Sequence, residues 1–157
     1  MEVKNGTAGY MQLLLSFGEV QKNILRLIQK SATEKGVSIP QYSILMTLFR
    51  CSGMTQKAIA EKTFLPKSTL SQAVDGLAKE GYVTRRPMEC DRREIRLELS
   101  GTGLALAEQL HLQEGGLHQA FKAASSHLTN SQIEELVAAH KNISSYLSEA
   151  EMEGAVK

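Results

Sequence analysis

The segment RRPMECDRREIRLELSGTG, residues 85–103, places two arginine pairs, Arg85-Arg86 and Arg92-Arg93, on either side of a short turn. A guanidinium is planar and permanently charged, and its fork of N–H donors matches two phosphate oxygens at once. Such groups also suit a narrow, electronegative minor groove. Glu89 and Asp91 lie in the same turn and partly neutralise it, so a solvated charged turn would have the same composition. The charge distribution favours the first option. Residues 50–96 hold ten Lys/Arg against six Asp/Glu, whereas the rest of the chain holds eight against eleven. One segment of a nearly neutral chain therefore faces an anionic partner.

A second set of polar residues precedes the arginines. In TQKAIAEKTFLPKSTLSQAVDGLAKEG, residues 55–81, two short helical patterns are joined by a tight turn. Ile59 and Ala60 of the first can pack on Leu70, Val74 and Leu77 of the second. The opposite face of the second carries Lys67, Ser68, Thr69, Ser71, Gln72 and Asp75. Small hydroxyls and amides let a helix approach phosphates and base edges, which a bulky apolar face could not do. An ordinary amphipathic hairpin with a solvated polar face would also fit. A helix-turn-helix followed directly by a β-hairpin, however, is a winged helix, and the arginines then sit on the wing.

The elements that must position these groups follow from periodicity and caps. The spacing predicts helices over 10–33, 39–51, 55–62, 66–80, 101–125 and 130–148, and strands over 82–87 and 93–99. Ser38, Thr55, Ser100 and Thr129 each follow an apolar residue and precede another large one by four, the pattern of a capped helix start with a hydrophobic staple. Gln132 completes a capping box with Thr129. Pro66 opens the fourth helix where a missing N–H costs nothing, and Gly81 ends it. In EIRLELS, Ile95, Leu97 and Leu99 are expected inward and Glu94, Arg96 and Glu98 outward. Gly115-Gly116 interrupts the fifth helix as a kink, hinge or break.

At 157 residues the chain suits one domain with a real core. Its two cysteines, Cys51 and Cys90, are too few for a disulfide scaffold and suit a reducing compartment. Cys51 follows an apolar helix and is expected as a buried small hydrophobe. No signal peptide or membrane span is read from the sequence, and a cytoplasmic location is expected. A Gly-rich phosphate loop after a strand, a nucleophile elbow and metal-hydrolase spacing are all missing, so no enzyme, cofactor or metal site is expected. The histidines His111, His118, His127 and His140 lack local partners for a metal set.

The stretch LPKSTLSQAVDGLAKEGYVTRRPMECDRREIRLELSGTG resembles the MarR family of winged helix-turn-helix transcriptional regulators. The likeness lies in a Pro-started recognition helix, the VDGLAKEGYV transition, a wing ending in Asp91-Arg92-Arg93, and an alternating strand running into Leu99-Ser100. Met88-Glu89-Cys90 replaces the Asp-Pro-Glu-like turn common there. The resemblance implies a mainly α fold with a small β-hairpin wing. It makes residues 1–157 a single domain, with a DNA-binding lobe over 37–100 and dimerisation helices over 8–36 and 101–150. The apolar stripes of residues 10–28 and of Ile133, Leu136, Val137, Ile143, Tyr146 and Leu147 would interlock across a two-fold axis.

It further implies a homodimer on double-stranded DNA, a repressor of a pseudo-palindromic operator released by a small anionic or phenolic ligand. Lys67, Ser68, Thr69, Ser71, Gln72, Arg86, Arg92 and Arg93 would contact DNA, with Asp91 bracing the wing. Phe17, Arg26, Tyr42 and His111 are candidate pocket residues. Peroxide sensors of the family carry a cysteine in the first helix, which this chain lacks. Cys90, in a turn of mixed charge, leaves a thiol-redox switch open as an alternative. A winged helix that binds protein instead of DNA is the other alternative.

Overall fold

Residues 7–88 and 94–154 are described by a computed structural model. Helix α1 (Thr7–Glu34) leads into α2 (Ile39–Arg50), a two-residue strand β1 (Met54–Thr55), α3 (Gln56–Thr63) and α4 (Lys67–Lys79). Strands β2 (Val83–Pro87) and β3 (Ile95–Leu99) follow, then α5 (Gly101–Leu112), α6 (Leu117–Ser125) and α7 (Asn130–Gly154). The architecture is mainly helical with one small antiparallel sheet in the order β1-β3-β2. Two compact units make up the chain, one ending at Gln119 and one beginning at Ala120.

The starts of the helices are chemically determined. Ser38 Oγ accepts from the Gln41 N–H at 3.2 Å while Gln41 Oε1 accepts from the Ser38 N–H at 2.9 Å, a reciprocal capping box. Thr129 and Gln132 form the same box at 3.2 and 2.9 Å in the second unit, where it starts α7. Thr55 accepts from Ala58 N–H and Ser100 from Gly103 N–H, at 3.2 and 3.0 Å. Each bond satisfies an amide that the helix itself leaves without a partner.

The core of the first unit is built on α2, whose Tyr42, Ile44, Leu45, Met46 and Leu48 are buried. Ile59 of α3, Leu70, Ala73, Val74 and Leu77 of α4, Val83 and Leu97 of the sheet, and Leu106, Ala107 and Leu110 of α5 close around it. Burying each large aliphatic side chain contributes ~1.5–3 kcal/mol, so this cluster fixes α3 against α4.

Ser100 joins the wing to α5. Its Oγ donates to the Gly81 carbonyl at 2.5 Å, its N–H to the Tyr82 carbonyl at 3.0 Å, and Thr102 Oγ1 donates to the Gly81 carbonyl at 3.1 Å. The start of α5 thereby lies so close to Tyr82 that Gly103 has no room for a side chain.

Four local features differ from the sequence expectation. Met54-Thr55 forms the third strand, pairing Met54 with Leu97 and Thr55 with Arg96, before Thr55 caps α3. The helix expected over 101–125 breaks between Leu112 and Leu117, with Gly115 at φ +68°. Ile95, expected inward, is 46% exposed, because β3 runs past the core while only Leu97 is fully covered. Cys51 is exposed: it lies beyond the last turn of α2 at φ −136° and so leaves the buried face.

Candidate nucleic-acid interface

The recognition-helix candidate α4 buries Leu70, Ala73, Val74 and Leu77 and turns Lys67, Ser68, Gln72, Asp75 and Lys79 to solvent. Its first turn has no side-chain cap, since the residue at that position is Pro66. The exposed first-turn amides and Lys67 form a positive end suited to a phosphate. Thr69 is half-buried. Ser71 is half-buried too, and its Oγ accepts from Gln56 Nε2 of α3 at 2.9 Å. That bond links the two helices of the motif, while the next residue, Gln72, stays exposed to solvent.

The wing is held to α4 by charge. Arg85 Nη2 donates to Asp75 Oδ1, so the carboxylate of the recognition face braces β2. Arg86 Nε lies 3.2 Å from Glu98 Oε2 across the β2–β3 ladder, in which Arg86 stands opposite Arg96. Glu98 thus relieves the repulsion between two arginines directly across a strand pair. Both arginines are exposed, Glu98 is half-buried, and each pair contributes about 0–1 kcal/mol. Glu89, Cys90, Asp91, Arg92 and Arg93 lie outside the described residues, and with them the brace, the redox thiol and two of the predicted DNA contacts.

Away from this face, Met46, Phe49 and Arg50 of α2, His111 of α5 and His118 of α6 line a cavity of about 380 Å³. The imidazoles of His111 and His118 lie 4.5 Å apart, and Phe49 packs against His111 at 5.5 Å. Seven residues in a continuous helix would separate two such rings by ~10 Å. The break at Gln113–Gly116 brings them together, which the sequence spacing concealed. Burial, the neighbouring His111 and then Arg50 all push the His118 pKa below its ordinary value.

Of the four candidate pocket residues only His111 lines this cavity. Tyr42 is buried elsewhere in the core, Phe17 is half-buried on α1, and Arg26 is exposed. Burial raises the Tyr42 pKa. Its hydroxyl, Ser31 Oγ and Gln113 Oε1 are buried without a hydrogen-bond partner among the described residues. No group of three or more metal-ligating side chains is found among the described residues, and no helix there is long and apolar enough to cross a bilayer.

A family model described as "MarR family" matches residues 35–94, from the start of α2 into the wing. The transcriptional repressor YetL of Bacillus subtilis is 32% identical over 107 residues, which are 67% of this chain and 64% of that protein. The chain thus spans just under two thirds of that relative's length. A MarR family regulator from Neisseria meningitidis superposes with a TM-score of 0.71 at 26% identity, over 90% of this chain and 98% of that one. A mutant MarR from E. coli, solved in complex with operator DNA, superposes with a TM-score of 0.67 at 22% identity, over 91% and 99% of the two chains. At that identity the likeness is one of fold.

Proposed function

The chain belongs to the MarR family, and from that premise we propose that it is a dimeric transcriptional repressor, not an enzyme, that binds a pseudo-palindromic duplex and is released by a small anionic ligand. The observation that carries the reading is the solvent face of α4, where Lys67, Ser68 and Gln72 stand beside a wing fastened by Asp75–Arg85. The repressor name of the Bacillus relative and the operator-bound fold of the E. coli protein support it. Lys67, Ser68, Thr69 and the wing arginines Arg86, Arg92 and Arg93 hold phosphates in this reading, and Gln72 reads a base. Ser71, bonded to Gln56, positions α4.

The homodimer rests on apolar surface. Tyr10, Leu13, Leu14, Leu15 and Val20 of α1 are exposed, as are Leu136, Val137, Tyr146 and Leu147 of α7. A second copy of the chain would cover both sets, and a two-fold partner matches a two-fold DNA site.

Gln can pair bidentately with adenine N6 and N7. Gln72→Ala is therefore expected to cost ~1–3 kcal/mol at one base-pair position of each half-site and to leave binding to random duplex unchanged. Fluorescence anisotropy on single-base operator variants reads this out. An equal loss on every sequence would make Gln72 a backbone contact and remove the reading assigned to it.

The ligand proposal centres on the cavity of Phe49, Arg50, His111 and His118, whose aromatic wall and Arg50 guanidinium suit an aromatic carboxylate. With a lowered pKa, neutral His118 contributes stability that is present above the ordinary histidine range and lost as pH falls through its depressed pKa. A bound carboxylate reverses the balance: it favours the imidazolium, so binding takes up a proton. Affinity for benzoate is expected to rise as pH is lowered from about 8 to about 6. Calorimetry in two buffers of different ionisation enthalpy would show the proton uptake. The same pH dependence in His118→Gln would place the ligand elsewhere.

A further inference from the structure

Phe64 bears two costs that the fold does not recover. It is the C-cap of α3 at φ 55°, ψ 21°, in the left-handed region. Every other described residue with positive φ is a glycine: Gly36, Gly53, Gly81 and Gly115. A bulky side chain is disfavoured there because its Cβ crowds the backbone. Its ring is also 91% exposed, the highest among the exposed large hydrophobic side chains of the described residues, so it adds nothing to the core. Neighbouring Leu65, by contrast, packs against the core, and Pro66 opens α4 two residues later. The turn is therefore fixed on both sides and needs no aromatic ring at Phe64. Backbone strain with an exposed ring at one position points outward, to a contact made with a partner.

Its place in the motif gives the partner's chemistry. Phe64 lies three residues before Lys67, the start of the recognition helix, whose first turn has no side-chain cap and where Lys67 and Ser68 face solvent. A duplex engaged by that end of α4 brings the edge of its major groove to the ring. The apolar group displayed there is the thymine C5-methyl, which phenylalanine can contact. We propose that Phe64 reads a thymine methyl at the outer edge of each half-site, and that its left-handed conformation is kept for that contact. The proposal rests on the DNA-binding reading above and adds a specificity residue to it.

The test uses the full chain and a duplex selected by it from a random-sequence pool. Replacing single thymines by deoxyuridine removes the methyl and nothing else. At one position per half-site this is expected to weaken native binding about four-fold, the value of one buried methyl. Phe64→Gly and Phe64→Asn both accept the left-handed conformation, so each is expected to melt at or above the native temperature. Both are expected to bind the thymine duplex at least four-fold more weakly and to lose the native response to deoxyuridine at that position.

If the native chain selects no duplex, the DNA-binding reading fails and this proposal fails with it. If the native chain binds but the variants bind equally well, only the role of Phe64 is overturned. Variants that bind more weakly yet keep the full deoxyuridine penalty would also overturn it, as would a clear fall in melting temperature, which would give the ring a structural role.

Discussion

Inserting about 5 bp between the two half-sites of the operator is expected to reduce affinity by about a hundredfold or more. Half a helical turn carries one half-site to the opposite face of the duplex. A dimer whose two α4 helices are joined through rigid helices can then engage only one half. The loss is that of the second, intramolecular binding event, whose effective concentration for a short rigid linkage is in the millimolar range. The exposed apolar residues of α1 and α7 motivate the linkage. Inserting a full turn of about 10 bp returns both halves to one face, and part of the affinity should return with it. Affinity unaffected by either insertion would mean that each lobe binds alone.

The second large effect concerns stability. Gly103→Ala is expected to destabilise the fold by about 3 kcal/mol, the upper end of ordinary overpacking. An added Cβ would lie 1.9 Å from the Tyr82 carbonyl oxygen and 2.8 Å from its carbonyl carbon. These are backbone atoms held by the Ser100 N–H bond to the same carbonyl, so no flexible side chain can swing aside. Relief requires moving α5 away from the base of the wing, which breaks the Ser100 and Thr102 bonds to Gly81. A urea titration should show a lower midpoint with an unchanged slope. Gly101→Ala, at a position with open space for the methyl, is the control and should differ little from native. A midpoint for Gly103→Ala close to native would show that this junction is looser than its hydrogen bonds imply.

The parts of the fold legible in the sequence were those set by local chemistry. Ser38, Thr55, Ser100 and Thr129 cap their helices because a hydroxyl beside an orphan amide works the same way in any fold. Leu70, Val74 and Leu77 are buried because helical spacing puts them on one side of α4. What escaped depends on contacts distant in sequence. Met54-Thr55 is too short to show alternation and becomes a strand only because Leu97 and Arg96 lie beside it. Ser71 read only as a base-facing hydroxyl, whereas the fold also brings Gln56 to it, and Asp75 read only as part of that face, whereas its carboxylate also accepts from Arg85. His118 had no visible relation to His111, since the helix break that joins them reverses what a spacing of seven would give. Phe64 carried no signal at all: only its dihedral angle and its exposure mark it out.

In the proposed interface the wing and the start of α4 bind duplex DNA through phosphates, and Gln72 of α4 reads a base. The most direct test of that arrangement is the affinity of the native chain for its selected duplex and for a random duplex of equal length, each at two salt concentrations. Phosphate contacts release counterions on any sequence, so both affinities should fall steeply with salt, with a logarithmic slope of roughly −0.9 per contacted phosphate. Base contacts add to the selected duplex alone, which should bind at least about a thousandfold more tightly at the same salt. Equal affinity for the two duplexes, or binding indifferent to salt, would contradict the account.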